Sequence, residues 1–146
     1  MTKMHFAHEI CVQKKAIAPR ESVVIELPFF PPSVNNLFPT SKSGHRFTSD
    51  TYKKWQAEAG WHLASNRPAR IPGPVKITVF LSERGRRETT DSDNFHKAPQ
   101  DLLVKHNIID GDGRAVVRET RQVWAGHDFD GIKILIEQAE PMQRAA

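Results

Sequence analysis

The segment Val75-Lys76-Ile77-Thr78-Val79-Phe80-Leu81 places Val, Ile, Val and Leu at every second position, the period of a β-strand with one buried face. It leads directly toward the densest acidic stretch of the chain, Asp91-Ser92-Asp93-Asn94-Phe95-His96-Lys97. One constraint follows. The strand must press its apolar side against a second layer, and the acidic stretch must lie past the strand's end.

Around that strand the chain divides into recognisable elements. Val23, Ile25 and Leu27 alternate, and Pro28, Pro31 and Pro32 stop the strand they form. Asn35 to Thr48 has the polar, Gly- and Pro-containing character of a loop, with Lys42, His45 and Arg46 available to anionic ligands. Thr48, Ser49 or Asp50 caps a helix predicted to run to about Asn66, with Tyr52, Trp55, Ala59 and Leu63 on its core face. Arg67 to Pro74 reads as a connection. Phe95, Ala98, Leu102 and Leu103 supply the buried side of a second helix ending near Asn107. Arg114–Trp124 and Gly131–Glu137 read as two strands, predicted to pair as a hairpin around Ala125–Asp130, with Ile132, Ile134 and Ile136 toward the core. The order β-α-β-α-β-β predicts a two-layer α/β (α+β) fold with a single mixed sheet and helices packed on one face.

The acidic stretch has a chemical reading and a structural one. Asp91 and Asp93 lie two apart, so on an extended or turn-like segment both side chains point the same way and can share one ion. Mg²⁺ takes hard oxygen ligands and keeps several waters, so one or two carboxylates with substrate phosphates suffice. Asp110 or Asp112 would come from a separate element. Taken alone, however, Asp-x-Asp-Asn reads first as a helix N-terminus, and Asp110-Gly111-Asp112-Gly113 reads first as a turn. A calcium loop of the EF-hand kind is excluded. Its fifth, sixth and twelfth positions, counted from Asp110, hold Arg114, Ala115 and Arg121.

Charge points to a polyanionic partner. The chain carries 21 Lys and Arg against 17 Asp and Glu, a formal +4, and basic residues bunch at Arg67, Arg70, Arg84, Arg86 and Arg87 beside the acidic run. Taken alone, Arg84-Gly85-Arg86-Arg87 describes a solvated basic loop as well as a phosphate contact; its place beside an acidic stretch that could hold an ion favours phosphate contact for Arg84, Arg86 and Arg87. The single Cys11 permits no internal disulfide and suits a reducing compartment. No apolar run approaches a membrane span, and the first residues lack the apolar centre of a signal peptide. His5, His8 and Cys11 lack a fourth zinc ligand, and Met1 to about Glu21 is expected to be a loosely packed extension.

The loop Pro31-Pro32-Ser33-Val34-Asn35-Asn36 after the first strand, and the element Asp91-x-Asp93-Asn94-x-x-Lys97 after the second, occur in an order that resembles the RusA family of Holliday junction resolvases. The resemblance spans about Val23 to Glu137, within a domain taken as 22–138 between an extension, 1–21, and a tail, 139–146. It implies catalytic roles for Asp91, Asp93 and Lys97. The family's third acid belongs to an adjacent pair, whereas here Gly111 separates Asp110 from Asp112; Asp112 is the first choice and Asp110 the alternate. Pro99 is a second departure, since a proline beyond the first helical turn removes a backbone hydrogen bond. The helix must then start late or irregularly.

The resemblance further implies Mg²⁺, with Mn²⁺ as substitute, held by Asp91, Asp93 and Asp112 or Asp110, and Lys97 offsetting charge on the phosphate. It implies branched DNA as substrate, contacted by Arg84, Arg86, Arg87, Lys42, Arg46 and Asn35, a homodimer making two symmetric nicks, and a cytoplasmic setting in a bacterial or phage-infected cell. Two other readings stay open: a flap or fork nuclease of the same fold, and a junction-binding protein impaired in cleavage.

Overall fold

The computed structural model describes residues 21–143; the His5, His8 and Cys11 set and the expected extension, but for Glu21, lie outside them. The elements are β1 (Ser22–Leu27), α1 (Asp50–Asn66), β2 (Val75–Leu81), α2 (Lys97–Lys105), β3 (Val117–Trp124) and β4 (Ile132–Gln138), with short 3₁₀ turns at Val34–Asn36 and Ser92–Phe95. The strands form one mixed sheet in the order β1-β4-β2-β3. β4 is antiparallel to both β1 and β2, while β2 and β3 are parallel.

This order overturns the expected hairpin of the last two strands. β3 and β4 do not pair; β2 lies between them. The reason is legible in their composition. β3 reads Val-Arg-Glu-Thr-Arg-Gln-Val-Trp, and its polar middle is exposed, which suits an edge, whereas β4 buries Ile132, Ile134 and Ile136 and sits inside the sheet. The connection after β3 therefore crosses the end of β2. There the Ala125 N–H donates to Leu81 O, Glu83 N–H to Gly126 O and Ser82 N–H to Gly131 O, over 2.9–3.0 Å. β3 also starts later than expected, because Gly113 O accepts from the N–H groups of both Val116 and Val117 and closes a turn before it.

One sheet face forms the core. Registers place Ile25 beside Ile134 and Ile134 beside Val79, and Leu27 beside Ile132 and Ile132 beside Leu81. Tyr52, Trp55, Ala59 and Leu63 of α1 and Ala98, Leu102 and Leu103 of α2 join this same cluster. Each of the larger aliphatic or aromatic side chains contributes about 1.5–3 kcal/mol by leaving water.

Both helices begin as their sequences require. Ser49 caps α1, its Oγ accepting from the Tyr52 N–H at 3.1 Å and donating to Asn36 O at 2.6 Å, so the cap also ties down the 3₁₀ turn after β1. α2 starts only at Lys97, which makes Pro99 its third residue. A helix leaves its first N–H groups without internal partners, so a proline there forfeits no bond. The first helical bond runs from the Gln100 N–H to His96 O.

Candidate active site

The C-terminal ends of β1, β2 and β3 and the start of β4 lie along one edge of the sheet, since Leu27 pairs with Ile132, Ile132 with Leu81, and Leu81 with Trp124. Three connections leave from this edge: residues 28–49, 82–96 and 125–131. They carry most of the residues singled out in the sequence.

The two sequence motifs meet. The turn Val34–Asn36 packs against the turn Ser92–Phe95, which also lies against β3. Aromatic rings fasten the junction. Phe30 meets Phe95 edge-on with centroids 4.7 Å apart, Phe95 meets Trp124 at 6.4 Å, and Phe30 lies nearly parallel to Trp124 at 6.3 Å. Pairs of this kind contribute about 0.5–1.5 kcal/mol beyond their buried area. The Arg86 guanidinium lies over Phe30, 3.9 Å from the ring centroid.

From this base Asp91 and Asp93 project into solvent, and no hydrogen bond or ion pair occupies either carboxylate among the described residues. His96 folds back on the turn: its Nδ1 lies 2.6 Å from Asp93 O and closes the turn that carries the acids. Lys97, the first residue of α2, extends its Nζ to within 3.1 Å of Asp101 Oδ1, one helical turn on. Asp101 also borders Tyr52, whose hydroxyl proton is held so firmly by burial and by that carboxylate that its pKa is pushed up to about 12.

The arginines separate into different tasks. Arg84 donates its Nε to His127 O and pairs with Asp130 at 3.3 Å, so it fastens the connection between β3 and β4. Arg86 and Arg87, with Glu83, Thr90, Trp124 and His127, line a groove of about 380 Å³ beside the aromatic base. Arg46 lies 5.7 Å from the Phe38 ring on the loop before α1, where Thr40 and Arg46 form an isolated bridge; Lys42 and Asn35 are exposed on the same connection.

The two remaining acids stand apart from this cluster. Asp110 accepts from Arg70 and, at 2.8 Å, from the Gly73 N–H, which binds it to the segment entering β2 at the strand's other end. Asp112 is exposed, with no bonding partner among the described residues. No three His, Cys, Asp or Glu side chains converge into a preformed cation site among the described residues. The donor chemistry at Asp91 and Asp93 nevertheless fits a hard divalent cation, because two free carboxylates on one turn are what a partly hydrated Mg²⁺ requires of a protein.

Sequence reasoning missed the parts played by Phe30, Trp124, Asp101 and Tyr52. Their signal was faint: aromatics next to proline and at a strand end read as core, and an aspartate four residues after a lysine reads as a solvated helix pair.

No helix of the described residues is long and apolar enough to cross a membrane. No curated protein matches the chain significantly. The family model described as endodeoxyribonuclease RusA matches residues 28–137, the span that holds both motif turns, the aromatic base, β2, β3 and all but the last residue of β4. On that match the chain belongs to the RusA family of endodeoxyribonucleases.

Proposed function

We propose that this protein resolves Holliday junctions by paired, symmetric, metal-dependent nicks, acting as a C2 homodimer on branched DNA. The observation that carries this reading is the packing of the Pro31–Asn36 loop against the Asp91–Lys97 segment, which presents two unengaged carboxylates, a lysine and two arginines at one sheet edge.

Mg²⁺, or Mn²⁺ in its place, held by Asp91 and Asp93 would polarise a phosphodiester and lower the pKa of the attacking water. Asp112 is preferred to Asp110 as third ligand, because Arg70 and Gly73 already engage the Asp110 carboxylate; since Asp112 stands apart from Asp91 and Asp93 in this arrangement, it would have to be brought to the ion when DNA or a partner subunit binds. Lys97 offsets charge on the phosphate. Arg86 and Arg87 hold the backbone beside the cut, while Lys42, Arg46 and Asn35 reach DNA from the loop before α1. A four-way junction is nearly two-fold symmetric, so two identical sites related by a molecular dyad match two cuts. The cytoplasm of a bacterial or phage-infected cell is the setting we infer.

Cleavage of a synthetic four-way junction beside a linear duplex and a flap, with Mg²⁺ or EDTA, tests this. Paired nicks confined to the junction, lost in EDTA and in Asp91→Asn, are expected. Preference for the flap would make the protein a flap or fork nuclease. Junction binding without cleavage in either metal would make it a binding relative impaired in chemistry.

A further inference from the structure

Lys97 stands where an isolated helix would least favour it. It is the first residue of α2, at the positive end of the helix dipole, on a side chain with four rotatable carbons. Left alone, its ammonium would be repelled by the helix end and spread over many rotamers. The structure supplies a counterweight. Asp101 Oδ1 lies 3.1 Å from Lys97 Nζ, and the Asp101 side chain is only about 25% exposed, beneath the lysine and against α1.

The carboxylate is itself fixed from below. Tyr52, 1% exposed in the core, turns its hydroxyl to Asp101, with Gln56 at the same hydroxyl. A phenol beside a carboxylate can donate to one of its oxygens and leave the other to a lysine, which narrows the rotamers open to the carboxylate. The rigid core of α1 is thus connected through one carboxylate to the flexible amine beside the acidic turn.

We propose that Asp101 is a positioning residue for the nuclease reaction, fixing Lys97 Nζ in one place at the start of α2, beside the turn that carries Asp91 and Asp93, with Tyr52 as its anchor. The inference rests on the reading of Lys97 as the phosphate-contacting amine. Neither Asp101 nor Tyr52 touches DNA in this arrangement; both act through the lysine.

A double-mutant cycle on the full chain tests it, using single-turnover cleavage of a synthetic four-way junction in Mg²⁺ and junction affinity in EDTA. Asp101→Asn should slow cleavage about 10- to 100-fold, as expected for a misplaced catalytic group, with junction affinity unchanged. Asp101→Glu should recover part of the rate, and Tyr52→Phe should show a smaller loss. In a Lys97→Ala background Asp101→Asn should add no further loss, a result that a merely structural role would not give. Equal losses in both backgrounds would overturn the inference, as would a wild-type rate for Asp101→Asn beside an impaired Lys97→Ala. Full activity of Lys97→Ala would instead overturn the underlying reading of the lysine, and the inference with it. Where Asp101→Asn fails to fold, the Tyr52→Phe and Lys97→Ala cycle decides by the same rule.

Discussion

The Phe30 ring meets the Phe95 ring edge-on, with centroids 4.7 Å apart, and this pair joins the loop leaving β1 to the turn that carries Asp91 and Asp93. Phe30→Ala removes it, along with the stacking on Trp124 and the platform under Arg86. Because Phe30 is only half-buried, the stability cost should fall below the roughly 3–5 kcal/mol of a core Phe truncation, at about 1–2 kcal/mol. Cleavage should fall more steeply than stability. A variant that melts earlier yet nicks junctions at the wild-type rate would show that the aromatic base does not position the acids.

Gly131 is the position where backbone geometry leaves least freedom. It has φ +78°, and a Cβ there would collide with Leu27 O and lie 2.5 Å from Phe29 N. Both obstacles are backbone, so neither can rotate away. Gly131→Ala should therefore pry the start of β4 from the end of β1 and cost more than about 2 kcal/mol, read from the urea midpoint. The displaced segment leads straight into Phe30, so residual folded protein should also cleave poorly.

The fold was largely written in local pattern. Val75–Leu81 forms the strand its alternation requires, and Ser49 caps the helix whose face is Tyr52, Trp55, Ala59 and Leu63. The pairing of strands was not local. That β2 would lie between β3 and β4 depends on which strand tolerates an exposed edge, and the polar middle of β3 decides it only in competition with β4. At the site, the motif residues were visible because acids and prolines are conspicuous. The link between Asp101 and Tyr52 was not, since 49 residues separate a helix face from the carboxylate it meets only after α1 and α2 pack together.

Arg84 and Arg87 are three residues apart, yet should respond differently to substitution. Arg84→Ala gives up the intramolecular bonds to His127 O and Asp130, so it should lower stability by about 1 kcal/mol and leave the salt dependence of junction binding nearly unchanged. Arg86→Ala with Arg87→Ala should flatten the slope of log K against log salt by about 0.9 for each phosphate that the variant no longer neutralises. Titrations between low and moderate salt read both. An unchanged slope in the double variant would exclude these two arginines from phosphate binding.

Tyr52 makes the stability of the fold sensitive to alkali. Its pKa is raised from 10.0 to about 12, chiefly by burial and then by the Asp101 charge. The native state therefore keeps the phenol proton where the unfolded chain releases it. Stability from this group is complete below pH 10 and declines as pH rises toward 12, by roughly 2–3 kcal/mol over the whole interval. Tyr52→Phe should lose that decline. Denaturant midpoints at pH 9, 10 and 11 would show it as a shallower fall than in the wild type.

Asp110 and Asp112 can be separated by asking which property each substitution moves. Asp110 receives Arg70 and the Gly73 N–H, so its carboxylate holds the connection Arg67–Pro74 against the segment following α2, where Ile71 N–H also donates to Ile108 O. Asp110→Ala should cost about 1 kcal/mol in stability, because the Gly73 N–H loses its acceptor, and should leave junction cleavage within a few-fold of wild type. Asp112 has no such engagement among the described residues. Asp112→Asn should leave the melting temperature unchanged and lower metal-dependent cleavage about 100-fold or more, with junction affinity in EDTA retained. The opposite pattern, cleavage lost in Asp110→Asn at full stability, would mean that Arg70 releases Asp110 when DNA binds and would make Asp110 the third acid.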